Sequence, residues 1–276
     1  MPEYGIDEIQ NIANKLRLDV IEMTTEAGSG HPGGSLSAAD AVAALYFRIM
    51  NIDPADPYME GRDRFVLSKG HAAPILYSAL AERGYFPTDE LKTLRKIGSR
   101  LQGHPAYHEV PGVEVTTGSL GQGLSMACGI ALAGKMDEKS YHVFCLMGDG
   151  ELQEGQNWEA AMFAHKYGLT NLVAMVDRNR LQICGNTEDV MPMDPLPEKW
   201  RAFGWNVIII DGHNVRQIID ACDKAYRSRK NPTVIIMNTI KGKGVSFMEN
   251  NASFHGKSCN HEEYEKAVAE LKAVIQ

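Results

Sequence analysis

The chain has 276 residues, of which 44% are hydrophobic and 23% are charged, and its formal net charge at neutral pH is −7. This length and composition allow a large buried core and exclude a largely disordered chain. The negative charge gives no support for binding to nucleic acid or to an anionic membrane surface, so we expect neither as a partner. No apolar run approaches the roughly 18 residues that a membrane-spanning helix needs.

The cysteines and the N-terminus indicate the compartment. The five cysteines are odd in number, widely spaced and without a C-x-x-C pair. This pattern is typical of a reducing environment rather than of a secreted, disulfide-rich protein. The first ten residues are polar and acidic, unlike a secretory signal peptide. We therefore expect a cytoplasmic protein.

The first part of the chain has mainly helical patterns. Hydrophobic residues recur at helical spacing over Ile6–Ala27, where a glycine-rich stretch ends the helix. Further helices are predicted over residues 36–50 and 72–83, and a short helix after Thr88. Residues 64–68 are predicted to form a short strand.

From residue 141 onward, short apolar strands alternate with helices. Strands are predicted over residues 141–147, 172–176, 205–210 and 233–238, and helices over 154–167, 215–229 and 261–274. The alternation predicts an α/β fold, with a mostly parallel sheet covered by helices on both faces. No repeat or linker divides the chain, so residues 1–276 are predicted to form one domain. Ligands of such sheets bind at the carboxyl ends of the strands.

Three familiar motifs fail the test of their context. The glycines at 28, 30 and 33 have the dinucleotide-binding spacing, but a helix rather than a strand precedes them. The tripeptide from Gly256 to Ser258 resembles the end of a P-loop, but Asn251 stands where that motif needs glycine. His104 and His108 have the spacing of zinc ligands on a helix, but a proline lies between them.

The segment from Gly148 to Asn179 predicts a metal–diphosphate site. A strand delivers Asp149 to the sheet edge between two glycines, and the next helix begins nearby with N–H groups that can face an anion. About one helix and one strand separate Gly150 from Asn179. Asp149, Asn179 and the carbonyl of Leu181 offer the oxygen ligands that Mg²⁺ prefers. Gly-Asp-Gly alone is typical of a turn, but this spacing favours the metal interpretation.

Four histidines lie next to glycines: His31, His71, His104 and His255. Loop histidines with so little side-chain bulk around them are better suited to contact a ligand than to fill a core. Each imidazole can donate a hydrogen bond to an oxyanion or take part in proton transfer near neutral pH.

Taken in chain order, these stretches resemble the transketolase family. Gly148-Asp149-Gly150 with Asn179 is similar to the family's thiamine-diphosphate signature. The other similar stretches are Ser29-Gly30-His31-Pro32-Gly33, Leu67-Ser68-Lys69-Gly70-His71-Ala72, Gly103-His104-Pro105, Thr116-Thr117-Gly118-Ser119-Leu120-Gly121-Gln122-Gly123, Lys241-Gly242-Lys243-Gly244 and Phe254-His255-Gly256. The resemblance extends through essentially the whole chain, and together these motifs are highly specific.

The resemblance implies roles for individual residues. His31 and His255 would face the substrate and assist proton transfer. Cofactor contacts are implied for His71, His104, Gly118, Ser119, Leu120, Gly150, Asn179 and His255. Metal ligation is implied for Asp149, Asn179 and Leu181, with Mg²⁺ as the ion and Ca²⁺ or Mn²⁺ as possible substitutes. Glu154 would lie near a pair of carboxylates that links subunits.

The activity that the resemblance implies is the thiamine-diphosphate-dependent transfer of a two-carbon ketol unit from a ketose phosphate to an aldose phosphate, as in the pentose phosphate pathway. A related thiamine-dependent enzyme, of the dihydroxyacetone synthase or deoxyxylulose-phosphate synthase type, is one alternative. A non-catalytic, regulatory cofactor-binding subunit is the other. Because His31, His255, Asp149 and Asn179 are all present, the regulatory alternative is disfavoured.

The resemblance also implies partners. In transketolases the Glu that activates the cofactor's aminopyrimidine lies in a second, pyrimidine-binding domain, and this sequence stops about where that domain would begin. We therefore expect the N-terminal subunit of a split transketolase, although a shortened form of a longer enzyme would look identical. The expected assembly is a heterotetramer of two copies of this chain and two of a C-terminal subunit. An apolar surface around His31, His71 and residues 118–120 is expected at the open half of the site.

Two positions depart from the family pattern. Family members often have two consecutive acidic residues before the metal-binding Asn, whereas here Asp177 is followed by Arg178. Residues 34–37 are Gly-Ser-Leu-Ser, where many full-length enzymes have a Met-containing stretch. Neither departure removes a proposed ligand, and the second bears on substrate choice.

Overall fold

A computed structural model describes residues 4–275 of the chain. Its strands are β1 (Arg64–Leu67), β2 (Val143–Gly148), β3 (Leu172–Arg178), β4 (Leu181–Gln182), β5 (Gly185–Asn186), β6 (Asn206–Asp211) and β7 (Thr233–Asn238). Five of them form one sheet in the order β1-β2-β3-β7-β6, and every neighbouring pair in it is parallel. Strands β4 and β5 form a separate antiparallel hairpin directly after β3.

Helices connect the strands. They are α1 (Ile6–Ala27), α2 (Pro32–Ser37), α3 (Ala39–Ala44), α4 (Ala73–Arg83), α5 (Gln122–Met136), α6 (Gln156–Lys166), α7 (Thr187–Val190), α8 (Leu196–Ala202), α9 (Val215–Tyr226) and α10 (His261–Lys272). Short 3₁₀ turns lie at Gly70–Ala72, Thr88–Thr93, Gly150–Gln153 and Ala252–His255, and a π-helical turn lies at Leu45–Ile49. None of the helices within residues 4–275 is long and apolar enough to cross a bilayer.

Both faces of the sheet are buried. In β2, Phe144 and Leu146 point into a core that includes side chains of α1, α3, α4 and α9. The alternate residues Val143, Cys145 and Met147 point into a second core with side chains of α5, α6 and α8. This period-two alternation, with apolar residues on both sides, is what a parallel strand between two helical layers requires. The predicted α/β class is confirmed.

The first predicted helix has the predicted boundaries. The Glu8 carboxylate accepts a hydrogen bond of 2.6 Å from the N–H of Gly5 at the start of α1, and Gly28 ends the helix in the left-handed region at φ +60°. The predicted helix over 36–50 is instead divided among α2, α3 and the π-helical turn. Hydroxyls of Ser35 and Ser37 bond to the carbonyls of His31 and Gly34, which competes with a continuous helix.

Helix α5 is the largest element that the sequence patterns do not predict. It is apolar on nearly all sides and contains three glycines, so it has neither the polar face nor the propensity that indicate a helix. Two of these glycines are required by packing. A Cβ at Gly134 would lie 2.7 Å from the Tyr141 hydroxyl, and one at Gly123 would lie 2.6 Å from the Cα of Ser68, directly after β1.

Alanine should have opposite effects at two glycines of α5. Gly129 is exposed and has no atom within 4 Å of a built Cβ, so Gly129→Ala should stabilise the chain by roughly 0.5–1 kcal/mol through helix propensity. Gly123→Ala gains the same propensity but forces α5 away from Ser68, and overpacking of this kind costs about 1–3 kcal/mol. Urea unfolding should give free energies of unfolding that rise for the first variant and fall for the second. A higher free energy of unfolding for Gly123→Ala would contradict the packing argument.

Candidate active site at the carboxyl edge of the sheet

A cavity of about 280 Å³ lies at the carboxyl ends of the strands, between the loops that follow β1, β2, β3 and β7. The predicted site residues that line it are His71, Leu120, Asp149, Gly150, Asn179, Leu181 and His255. His31, His104, Gly118 and Ser119 are not part of its lining. Another cleft, of about 360 Å³, lies between α1 and the Thr88–Thr93 turn, away from all of these residues.

The adjacent strands β2 and β3 place Asp149 and Asn179 side by side. Gly148 is in register with Asp177, so the residues that follow the two strands meet at one edge. The Asp149 carboxylate accepts hydrogen bonds from the N–H groups of Gly150, at 2.9 Å, and of Arg180, at 2.6 Å. The Asn179 amide donates to Asp177 at 3.2 Å, which fixes its orientation. A carboxylate and an amide oxygen are thus held in place before any ligand arrives.

The environment of Asp149 suits a cation. The residue is 4% exposed. Burial and the nearby charge of Asp177 raise the pKa of Asp149 to about 6. A positive ion bound at this carboxylate would oppose both effects, because it would favour the ionised form.

Asp177 itself pairs with a cation of the chain. Its carboxylate forms a fully buried ion pair with the Lys69 ammonium and also accepts hydrogen bonds from the hydroxyls of Ser37, at 2.6 Å, and Thr239. Burial raises the pKa of Asp177, but the Lys69 charge and these hydrogen bonds outweigh it, so the pKa lies below its ordinary value. Lys69 Nζ also donates to the Gly34 carbonyl at 2.6 Å.

A second buried lysine, Lys241, lies across the cavity. Its Nζ is 2.9 Å from the Leu181 carbonyl and 2.9 Å from Nδ1 of His255. Burial and the charge of Lys69 lower the pKa of Lys241 to about 8. Because a protonated ammonium can only donate, Nδ1 of His255 accepts and its ring proton is on Nε2. We did not predict a role for either lysine, although both lie beside glycine in stretches of family resemblance.

Three of the predicted histidines form one cluster. The ring centroids of His31, His71 and His255 are separated by 5.2 Å, 5.5 Å and 5.0 Å in the pairs 31–71, 31–255 and 71–255. Burial is the main cause that lowers the pKa of all three, to about 4 for His31, about 2 for His71 and about 3 for His255, and neighbouring cationic groups add to it. All three rings are therefore neutral at neutral pH in the ligand-free chain. Nδ1 of His31 is buried without a hydrogen-bond partner among the described residues.

The loop at residues 118–120 packs tightly against Gly70, which precedes His71, and against His104. A Cβ at Gly70 would lie 2.7 Å from the Gly118 nitrogen, and one at Gly118 would lie 3.0 Å from the His104 ring. Gly118 has φ +147°, a conformation that favours glycine. The His104 ring thus packs against the loop at Gly118, outside the cavity lining. Of the three loop residues, Leu120 alone lines the cavity.

Glu151 connects three of the loops around the cavity, and we did not predict this from the sequence. Its buried carboxylate accepts hydrogen bonds from the Ser68 hydroxyl, the Gly121 N–H at 2.9 Å and the Gly148 N–H at 2.9 Å. These residues adjoin the loops that carry His71, Leu120 and Asp149. The only sequence signal was the position of Glu151 directly after Gly148-Asp149-Gly150.

The two departures from the family pattern have simple structural outcomes. The Arg178 guanidinium forms an ion pair with Asp194, so it does not disturb Asp149 or Asn179. Within residues 34–37, the Gly34 carbonyl and the Ser37 hydroxyl contact the Lys69–Asp177 pair.

The exposed large hydrophobic side chains lie mostly away from the cavity. Among the exposed large hydrophobic side chains of residues 4–275, only Ile183 lines the cavity. Met162, Phe163 and Tyr167 are instead exposed together on and just after α6. These three side chains form a second group of exposed hydrophobic residues, which the sequence analysis did not predict.

Comparison with known proteins identifies the family. Residues 8–273 match the family described as "Transketolase, thiamine diphosphate binding domain". The chain belongs to the transketolase family. It is 48% identical to the 6-deoxy-6-sulfo-D-fructose transketolase subunit SqwG of Clostridium sp. (strain MSTE9), over 99% of this chain and 98% of that subunit. It is 45% identical to an apulose-4-phosphate transketolase subunit from Phocaeicola vulgatus, over 98% of this chain and 95% of that protein.

The same chain matches only part of longer transketolases. It is 46% identical to Homo sapiens transketolase over 99% of this chain, which is 44% of the human protein. The crystal structure of Campylobacter jejuni transketolase superposes with a TM-score of 0.92 at 33% identity, over 98% of this chain and 43% of that one. The chain therefore spans less than half the length of these transketolases, and nearly the whole length of the two related subunits.

Thiamine diphosphate should bind less tightly to this transketolase-family chain as the pH rises through about 8. The Lys241 ammonium favours the diphosphate while it is protonated, and its pKa of about 8 means that this charge is lost above that pH. Titration calorimetry between pH 7 and pH 9 should show the fall in affinity. In Lys241→Arg, whose guanidinium stays charged, the fall should be much smaller. Equal pH dependence in both proteins would exclude Lys241 as its source.

Proposed function

We propose that this chain is the N-terminal, cofactor-binding subunit of a split transketolase, in which residues 1–276 form a single domain. With its partner it would transfer a two-carbon ketol unit from a ketose phosphate to an aldose phosphate. The observation that carries the proposal is the convergence of Asp149, Asn179, His71 and His255 on one cavity at the carboxyl edge of the sheet, in a chain of this family. Relatives that it matches along nearly their whole length are named as subunits.

The cavity suits thiamine diphosphate, which supplies carbanion chemistry when it is bound. Gly150 and the two lysines, Lys69 and Lys241, would hold the diphosphate, because two buried ammonium groups at the cavity favour a polyanion. The Gly150 N–H would have to turn to the diphosphate from the Asp149 carboxylate, to which it donates in the ligand-free chain. The loop at residues 118–120 and His71 would hold the rings, with His104 supporting that loop.

Mg²⁺ fits the oxygens that surround the diphosphate position, and Ca²⁺ or Mn²⁺ could replace it. Asp149, Asn179 and the Leu181 carbonyl provide three hard oxygen ligands on one side of the cavity. No group of three His, Cys, Asp or Glu side chains within the described residues could hold a metal by itself. The remaining ligands would therefore be diphosphate oxygens and water. The Leu181 carbonyl already accepts a hydrogen bond from Lys241, and its second lone pair would be the one for the metal.

His31 and His255 are the groups that we propose act on the substrate. Both rings are neutral in the ligand-free chain, so each can accept a proton from a sugar hydroxyl or hold one for return. His255 has its Nδ1 occupied by Lys241, which leaves Nε2 for the substrate. Within residues 4–275, His31 has no hydrogen-bond partner at its buried Nδ1, so Nε2 is the nitrogen that we propose for the substrate in this ring as well.

The anionic group of the substrate is a phosphate in the first proposal. A sulfonate is the second candidate, because the relative at 48% identity is named for a 6-deoxy-6-sulfo sugar. Arg95 could contact either anion. Its guanidinium is 2.8 Å from the Ser29 hydroxyl, and its charge acts on both His31 and His104. A synthase of related chemistry would use the same residues, and a regulatory subunit would need none of the histidines.

The partners are proposed to be a C-terminal subunit with the pyrimidine-binding domain and a second copy of this chain. Glu154 lies exposed at the rim of the cavity, where an incoming domain could reach it. The exposed Met162, Phe163 and Tyr167, on and just after α6, give an apolar surface that association would cover.

The chain alone should show no ketol transfer, and addition of a C-terminal subunit should restore it. The reason is that the pyrimidine-binding half supplies the carboxylic acid that activates the cofactor. The measurement is an assay with thiamine diphosphate, Mg²⁺ and a panel of phosphorylated and sulfonated ketoses, with and without the partner. Robust transfer by the chain alone would overturn the split-subunit proposal.

Two histidine variants test the proposed proton transfer in the assembled enzyme. His31→Ala and His255→Ala should each lower turnover by about 10²-fold, the usual scale for a lost acid–base group, with little change in melting temperature. Normal turnover per folded molecule together with a large loss of stability would assign both histidines a structural role.

Asp149→Ala should abolish measurable thiamine diphosphate binding in the presence of Mg²⁺. The diphosphate charge would face an incomplete set of oxygen ligands, and the nearby carboxylates of Asp177 and Glu151 are already engaged by Lys69 and by loop hydrogen bonds. Titration calorimetry measures the affinity, and Asp89→Ala removes the same charge at an exposed position as a control. Unchanged affinity in Asp149→Ala would exclude this residue as a ligand.

A further inference from the structure

A buried carboxylate outside the cavity, Asp40 in α3, has no part in the proposed reaction. It is 0% exposed. It forms an ion pair with Arg17 of α1 and accepts a hydrogen bond of 2.9 Å from the Gln10 amide. It also contacts Nδ1 of His213, at 2.8 Å, from the loop that follows β6.

The contacts of His213 fix which of its nitrogens carries the proton. The ring's other nitrogen, Nε2, lies 2.8 Å from the backbone N–H of Ile240, which can only donate. Nε2 is therefore an acceptor. Burial raises the pKa of Asp40, but the Arg17 charge and the hydrogen bonds from His213 and Arg17 lower it to about 2, so Asp40 is ionised and Nδ1 must donate to it. Both contacts select the neutral ring with its proton on Nδ1.

Ile240 begins the segment that reaches the cavity. The next residue is Lys241, whose ammonium contacts the Leu181 carbonyl and His255. The N–H of Gly242 then donates to the carbonyl of Gly33 at 3.0 Å, two residues after His31. The segment that begins at Ile240 thus contacts His255 directly and the loop of His31 through Gly33, while His213 lies outside the cavity lining.

We propose that His213 is a positioning residue, which holds the segment at residues 240–244 so that Lys241 faces the cofactor's diphosphate. This inference rests on the proposed function, since Lys241 has this role only if thiamine diphosphate occupies the cavity. The Asp40–Arg17 pair is the fixed support, because both side chains are buried and belong to helices of the core. The imidazole contacts Asp40 through Nδ1 and the Ile240 N–H through Nε2, so it connects this support to the loop after β7.

The fold should tolerate changes at His213. Without the imidazole, Asp40 keeps its ion pair with Arg17 and its hydrogen bond from Gln10, so the buried charge stays compensated. His213 itself is only partly buried. The loss of His213 therefore affects chiefly the Ile240 N–H, which loses its acceptor.

Two amide variants separate the two ends of the ring. His213→Asn places its amide at the position of Nδ1, so it can donate to Asp40 but does not reach Ile240. His213→Gln places its carbonyl oxygen near the position of Nε2, so it can accept from Ile240 while it gives up the Asp40 contact. If His213 matters only through its contact with Asp40, His213→Gln should perturb the protein more than His213→Asn. If His213 positions residues 240–244, His213→Asn should perturb that segment more than His213→Gln.

The first measurement is amide hydrogen exchange in the cofactor-free chain. His213→Asn should exchange about 10-fold faster than wild type at residues 240–244, the scale of one lost hydrogen bond, with an unchanged melting temperature. His213→Gln should stay close to wild type. In ¹⁵N-labelled wild type, the His213 shifts should show the proton on Nδ1. The inference would be overturned if all three proteins exchanged at the same rate, or if His213→Gln exchanged faster than His213→Asn at residues 240–244. It would also be overturned if the His213 proton were on Nε2.

The second measurement is the affinity for thiamine diphosphate with Mg²⁺. It should fall about 10-fold in His213→Asn and be largely kept in His213→Gln. If wild type does not bind thiamine diphosphate alone or with its partner, the proposed function fails, and the exchange and tautomer data still decide whether His213 holds the segment. If wild type binds and His213→Asn binds equally well, the positioning role fails while the proposed function stands.

Discussion

The site depends on one buried ion pair, between Lys69 and Asp177. Asp177 lies where β3 ends, in the middle of the sheet, and its carboxylate receives hydrogen bonds from Ser37, Thr239 and Asn179 in addition to Lys69. These donors belong to the segments that follow α1, β1, β3 and β7, so a single anion connects most of the loops around the cavity. An unpaired charge at such a position typically costs about 3–5 kcal/mol, which makes the pair hard to alter one partner at a time.

The same pair shapes the electrostatics of the cavity. Lys69 is paired with Asp177, but its charge still lowers the pKa of Lys241. The charges of Lys69 and Lys241 together lower the pKa values of His71 and His255. The cavity therefore holds positive charge that the chain itself does not fully compensate. A diphosphate with its metal ion would relieve this repulsion, so the binding energy of the cofactor includes the removal of an unfavourable interaction within the protein. If the diphosphate offsets these charges, it would also raise the pKa values of the histidines and make them better proton acceptors.

Sequence patterns predicted the parts of this arrangement that depend on local chemistry. Helix α1, strand β7 and the α/β class follow from hydrophobic periodicity and glycine stops, and Asp149 and Asn179 follow from the ends of neighbouring strands. Helix α5 was missed because its packing against Ser68 and Tyr141, and not its own pattern, makes it a helix. The roles of Lys69, Lys241 and Glu151 could not be predicted, since each depends on at least one partner that is 14 to 108 residues away. Only the folded sheet brings those partners together.

The residues of the cavity come from almost the whole chain, from Gly34 to His255. A ligand bound in the cavity would therefore contact segments that are far apart in the sequence, and it would favour the folded arrangement of all of them. Bound ligand stabilises a folded protein in proportion to the logarithm of its concentration, by about 2.7 kcal/mol at 100 times the dissociation constant. The concentration of thiamine diphosphate in the cell would then influence how long this protein survives proteolysis. Bound cofactor lowers the population of the unfolded and partly open forms that proteases cleave.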